Sequence, residues 1–154
     1  MTKYVVGIDP GARGAIAIVD KKTKEVVSLI DMPTEDEEYV SLICTNEDTW
    51  RESRDSFDVY LESVHALPRQ STVAGFTFGK NVGKAELLSI SYNKEVTKVS
   101  PQRWKKYFNL NRDKKESVYL ARKLFPSVSD KLLVSKDGRA EALLLAYYGI
   151  EEGK

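Results

Sequence analysis

Apolar and β-branched residues fill positions 4–8 and 15–19, and between them the chain reads Asp9-Pro10-Gly11-Ala12-Arg13-Gly14. Two apolar arms broken by Pro-Gly and Gly predict a hairpin of two strands. Residues 25–32 (EVVSLIDM) form a third β-like run closed by Pro33, so the chain should begin as an antiparallel meander. Thr34 with Glu37 three positions on has capping-box spacing, and Tyr39, Leu42 and Ile43 follow at helical intervals. Residues 46–56 are polar and predict a loop. The run FDVYLE at 57–62 alternates and ends on a carboxylate, as the first strand ends on Asp9.

The second half continues the alternation of strand and helix. After a loop containing Pro68 and Arg69, a helix is expected from about Thr72 to Tyr92. Gly75, Gly79 and Gly83 recur four residues apart and leave one face of that helix bare. Such a face admits either a second helix or a phosphate backbone at close range. Residues 95–99 read as a fifth strand, and Ser100-Pro101 as an N-cap followed by proline at the first helical position. Helices are expected at 101–107 and 113–125, the second burying Val118, Leu120, Ala121, Leu124 and Phe125 and stopped by Pro126. A last helix should cover 138–148, with Asp137 in an N-cap-like position and Gly149 closing it. The order is α/β and fits a mixed sheet flanked by helices, in a single domain spanning residues 1–154.

Composition adds little to this except through charge. The 42% hydrophobic and 31% charged residues are ordinary for a globular protein. No run approaches the roughly 18 apolar residues of a membrane span. A strand starts within a few residues of Met1, so no signal peptide and a cytoplasmic location are expected. Cys44 has no second cysteine to pair with, and His65 is the only histidine, which excludes a zinc-finger-type site. The formal net charge of +1 conceals an asymmetry. Between Asp31 and Glu62 eleven acids oppose two arginines, whereas between Lys80 and Lys123 twelve bases oppose four acids. The basic half reads as a polyanion footprint or, equally, as a solvated surface.

Acidic residues carry the candidate chemistry. Asp9 and Glu62 each end a strand, and Asp137 with Glu141 shares one face at the start of the last helix. Taken singly, Asp9 is a turn cap or a ligand, Asp137 a helix cap, and Glu62 and Glu141 surface charges. Glu141, however, interrupts an apolar stripe of Ala140, Leu143, Leu144 and Tyr147. Carboxylates from separate elements, without a usable Cys/His set, suit Mg²⁺ or Mn²⁺. Two such ions bridged by a shared Asp would activate a water and stabilise the leaving oxygen of a phosphodiester.

The motifs GIDPGARGAIAI, YLESVHALPRQSTVAGFTFGKNVG, VSPQRWKK and DGRAEALLLAYYG, in this order, resemble the RuvC family of Holliday junction resolvases, especially its small phage-type members. The resemblance implies an RNase H-like fold: a mixed five-stranded sheet, antiparallel in its first three strands and then parallel. It implies metal-dependent, symmetric nicking of four-way or otherwise branched DNA by a homodimer, leaving 5′-phosphate and 3′-hydroxyl ends. Two Mg²⁺ ions, replaceable by Mn²⁺, would be held by Asp9, Glu62, Asp137 and Glu141, with Asp9 bridging. The chain departs from the commoner pattern in closing on Glu141 rather than Asp and in spacing Asp137 four residues ahead of it. His65 stands where the family often carries an aromatic that probes the junction, and is either a stacking ring or a loop hydrogen-bonder. Lys105 and Lys115 match phosphate-contacting positions, with Lys115 the residue to support the transition state. Arg69, Lys80 and Lys84 complete the expected DNA contacts. Two other classes remain. One is a catalytically silent binder of DNA branches. The other is a truncated actin- or sugar-kinase-like phosphate-binding domain, disfavoured because that class needs two such domains.

Overall fold

In a computed structural model, residues 2–50 and 56–153 are described, excepting the side chains of Thr49 and Trp50. Strands β1 (Tyr4–Asp9), β2 (Ala15–Asp20), β3 (Val26–Asp31), β4 (Phe57–Glu62) and β5 (Val96–Val99) form one sheet in the order β3-β2-β1-β4-β5. β1 pairs antiparallel with β2, and β2 with β3, while β1–β4 and β4–β5 are parallel. This is the expected mixed five-stranded arrangement. Helices α1 (Asp36–Trp50) and α2 (Thr72–Tyr92) cover one face. Helices α3 (Pro101–Tyr107), α4 (Lys114–Leu124) and α5 (Asp137–Glu152) cover the other. Two 3₁₀ pieces, Pro126–Lys131 and Val134–Lys136, join α4 to α5.

The central strands are buried on both sides, which explains their unbroken apolar runs. Side chains alternate across the sheet: Val6, Ile8, Ile16 and Ile18 pack beneath α1 and α2. Val5, Ala15, Ala17 and Val19 face the cluster built on α5. On that face small residues dominate because α5 lies directly on the sheet. A Cβ at Gly7 would collide with the backbone of Ala142 and Ala146. Apart from being in contact with the sheet, α5 is buried along most of its length, from Asp137 to Ile150.

Four expectations are corrected. Residues 46–50 are the last turn of α1 and not a loop; residues 51–55 lie outside the described residues. The polar Asn46 is only 3% exposed, and its Nδ2 donates to Ser91 Oγ at 2.8 Å, tying α1 to α2. The cap of α1 is shifted by one residue, since the Thr34 amide donates to Glu38 Oε2 at 3.0 Å rather than to Glu37. Gly149 does not end α5, which continues to Glu152. Its missing side chain leaves room for the Tyr60 ring, which a Cβ there would strike. Asp137 likewise lies inside the first turn of α5 and makes no cap; Lys136 precedes the helix without a side-chain cap bond.

Candidate metal centre

Parallel pairing brings the first two acids together. Ile8 lies opposite Leu61, so β1 and β4 run out at the same edge and present Asp9 and Glu62 side by side. The third acid comes from above. Gly138 packs against the carbonyl of Arg13 so closely that a Cβ would overlap it, which seats the first turns of α5 on the β1–β2 hairpin. Glu141 is thereby carried over Asp9. Asp9, Glu62 and Glu141 each offer a carboxylate oxygen, and these oxygens lie within 4.8 Å of one another.

Each acid is held by a specific partner. Asp9 Oδ1 accepts the Gly11 amide at 3.1 Å across the hairpin turn. Glu62 Oε2 accepts the indole Nε1–H of buried Trp104 at 2.8 Å. Lys105 Nζ lies 3.5 Å from Glu141 Oε1. α3, capped by Ser100 and led by Pro101, therefore turns Trp104 and Lys105 toward two different acids of one cluster.

Proton affinities report how strained this arrangement is. Burial, then the neighbouring Glu62 and Glu141 charges, pushes the Asp9 carboxyl well above the ordinary range. Burial raises Glu62 to about 7, aided by Glu141 and opposed by the Trp104 hydrogen bond and by Lys105. Desolvated like charges raise each other's affinity for a proton, and a divalent cation relieves them equally well. The donors are all hard oxygens from three elements, so the residues present fit Mg²⁺ or Mn²⁺.

The remaining expected site residues are distributed around this cluster. Asp137 sits one turn ahead of Glu141, outside the group of three, with its Oδ2 3.3 Å from Lys114 Nζ. On α4 the lysine that meets an acid of the site is thus Lys114, while Lys115 is exposed. His65 and Arg69 are exposed in the segment between β4 and α2. Lys80 is exposed on α2, its Nζ 5.7 Å from the Phe76 ring, and Lys84 is ion-paired with Asp36 of α1. Trp104 and Lys114 were not anticipated. Only the placement of Trp104 between cationic neighbours in PQRWKK hinted at a site role.

Arg13 also acquires a place. It lines a cavity of about 260 Å³ beside the hairpin, with Asp31, Thr34, Ser135 and Lys136. Asp31 there is engaged by Arg139, whose Nε and Nη2 donate at 2.7 and 3.0 Å, and by Lys136 at 3.5 Å. The Arg139 hydrogen bonds hold the Asp31 carboxyl below its usual value.

No family model and no curated protein matches the sequence. Among solved structures, the chain is similar to T. thermophilus RuvC in complex with Holliday junction substrate, at 15% identity and a TM-score of 0.68. That match covers 97% of this chain and 96% of the other. Thermus thermophilus RuvC alone gives 17% identity and a TM-score of 0.64, with the same coverage. The yeast mitochondrial Holliday junction resolvase Ydc2 gives 16% identity and 0.52, covering 97% of this chain and 78% of that one. The mixed sheet with its flanking helices is the RNase H-like fold of these structures.

Proposed function

We propose that the chain is a metal-dependent endonuclease that resolves Holliday junctions and other branched DNA by paired nicks, acting as a homodimer. The observation that carries this reading is the convergence of Asp9, Glu62 and Glu141, with oxygens within 4.8 Å, in a desolvated corner that raises the proton affinity of two of them. A structural acid cluster would be selected against, because unneutralised buried charge is costly. The fold supports the substrate class, since one similar structure is a RuvC bound to a Holliday junction.

Two Mg²⁺ ions, when bound, would supply a hydroxide nucleophile and stabilise the leaving oxygen. Asp9, Glu62 and Glu141 would hold the ions between them. Asp137, one turn away on α5 and paired with Lys114, would complete the ligand set. Trp104 fixes the Glu62 carboxylate through its hydrogen bond to Oε2. Lys105, 3.5 Å from Glu141, would meet a non-bridging oxygen of the scissile phosphate, and the exposed Lys115 on α4 would support the charge that builds there. Cleavage that leaves 5′-phosphate and 3′-hydroxyl ends follows if water attacks in line with the 3′ oxygen. His65 and Arg69, exposed beyond Glu62, would contact the branch point.

The test is to incubate the protein with Mg²⁺, Mn²⁺ or EDTA on labelled four-way, three-way and linear duplex DNA. Paired symmetric nicks on the four-way substrate, absent in EDTA, are expected. Tight junction binding with no cleavage in either metal would instead favour the catalytically silent binder.

A further inference from the structure

Between Tyr4 and Asp20 the β1–β2 hairpin carries a single basic residue, Arg13, and its backbone is held from two sides. Within the turn the Gly14 amide donates to the Gly11 carbonyl at 2.8 Å, and the Gly14 carbonyl accepts the Met32 amide at 3.0 Å. From above, Gly138 of α5 presses on the Arg13 carbonyl. The turn therefore sets where the Arg13 side chain starts, while the side chain itself is exposed. Among the described residues no acid forms an ion pair with it.

The cavity beside Arg13 has a surplus of positive charge. Asp31, the one acid among its lining residues, is already matched by two hydrogen bonds from Arg139. Lys136, also on the wall, stands off from Asp31 at 3.5 Å with 52% of its side chain exposed. Thr34 and Ser135 add two hydroxyl groups. The acids at the start of α1 do not line it; Glu37 and Glu38 border a different groove, with Ile30, Pro33 and Leu42. Arg13 and Lys136 are thus two cations left to meet an anion from outside the chain.

The place of the cavity in the fold says which anion. Asp9 opens the hairpin turn and Arg13 lies at its far end, and a Cβ on Gly14 would strike the Asp9 carbonyl, so the two ends touch. The sheet order puts β2 and β3 on one side of Asp9 and β4 on the other, where Trp104 of α3 is bonded to Glu62. DNA whose phosphate rests on the three acids then has α3 on one flank and Arg13 on the other. We infer that this cavity holds a backbone phosphodiester of the nicked strand next to the scissile one, with Arg13 and Lys136 on its oxygens. The planar guanidinium fork suits two phosphate oxygens at once. Two cations call for charge, which a phosphodiester supplies and a base edge does not. Holding the neighbouring phosphate fixes the scissile one along the strand, so Arg13 is a positioning residue that touches no reacting atom.

The inference rests on the branched-DNA substrate of the proposed function, but not on its metal chemistry. Binding in EDTA tests it with the wild type, Arg13→Gln and Lys136→Gln. The probes are four-way junctions carrying one uncharged methylphosphonate linkage, moved one position at a time across the branch point. At one linkage the neutral group should cost the wild type about tenfold in affinity and cost Arg13→Gln little, as expected of two partners in contact. Lys136→Gln should lose part of its sensitivity at that same linkage. On unmodified junctions Arg13→Gln should lower the slope of log affinity against log salt by about one. Its melting temperature should match the wild type's, since the side chain is exposed and pairs with no acid of its own chain. In Mg²⁺ the coupled linkage should lie beside the nick made by the wild type. A coupled linkage remote from the nick, or a deficit that follows base identity and no linkage, overturns the assignment. Unchanged affinity and salt slope in Arg13→Gln, with normal cutting by the wild type, overturns this site alone. A wild type that binds branched DNA but never cuts it overturns the nuclease reading, while the coupling measured in EDTA still decides the site; one that binds none overturns both.

Discussion

Burial raises the proton affinity of the Glu62 carboxyl, and that has a measurable cost. Its carboxyl titrates near 7 in the folded chain against 4.5 as a free side chain. Between those values the folded protein keeps a proton that the unfolded chain has released, so stability falls as pH rises from about 4.5 to 7. A shift of this size corresponds to about 3 kcal/mol, and the raised Asp9 acts in the same direction. Urea denaturation in EDTA should therefore show a less stable protein at pH 8 than at pH 5, and Mg²⁺ should restore stability at pH 8 while adding little at pH 5. Glu62→Gln should stabilise the metal-free protein at pH 8, because its amide oxygen still accepts from Trp104, yet it should lose Mg²⁺-dependent cleavage. Asp9→Asn should likewise abolish cleavage while leaving junction binding; cleavage at the wild-type rate would refute the assignment of Asp9 as a metal ligand. The acids were legible in the sequence because each ends a strand or interrupts an apolar stripe. Trp104 and Lys114 were not, because their partners Glu62 and Asp137 are remote in the chain and only folding brings them together.

At the scale of elements, periodicity located every strand and α-helix among the described residues, though neither 3₁₀ piece before α5, and α2 matched from Thr72 to Tyr92. Errors arose where a residue serves a neighbour instead of its own element. Asn46 looks like a loop residue because its amide is spent on Ser91, and Gly149 looks like a stop because its empty side is filled by Tyr60. Gly138 is the most consequential of these, since it lets α5 touch the hairpin that carries Asp9. Gly138→Ala would drive a methyl into the backbone of Arg13 and Gly14, which has no side chain to swing aside. Overpacking of this kind costs about 1–3 kcal/mol. A lower melting temperature by circular dichroism should accompany a loss of Mg²⁺-dependent cleavage, as Glu141 is lifted from Asp9. Normal activity in a destabilised Gly138→Ala would show that the hairpin contact does not set the acid geometry.

Across the whole molecule, the sheet order places Asp9, Glu62 and Glu141 together, where β1 and β4 end and α5 begins, and the basic half of the sequence arrives there through α3 and α4. The net charge of +1 therefore does not describe what DNA would meet. Lys105 lies 3.5 Å from Glu141, and Lys115 is exposed on α4 next to Lys114, which pairs with Asp137. Each phosphate contact made by a lysine contributes about one unit to the slope of log affinity against log salt. Measured in an Asp9→Asn background without divalent metal, the four-way-junction salt slope should drop by about one for Lys115→Ala and by less for Lys105→Ala, whose charge is partly committed to Glu141. In the otherwise wild-type protein the ranking should invert for cleavage: Lys105→Ala should lower the single-turnover rate more, because it removes the cation nearest the reacting phosphate. Equal effects of the two substitutions on both slope and rate would mean that neither lysine is placed by the acids, and that the phosphate track passes elsewhere on α3 and α4.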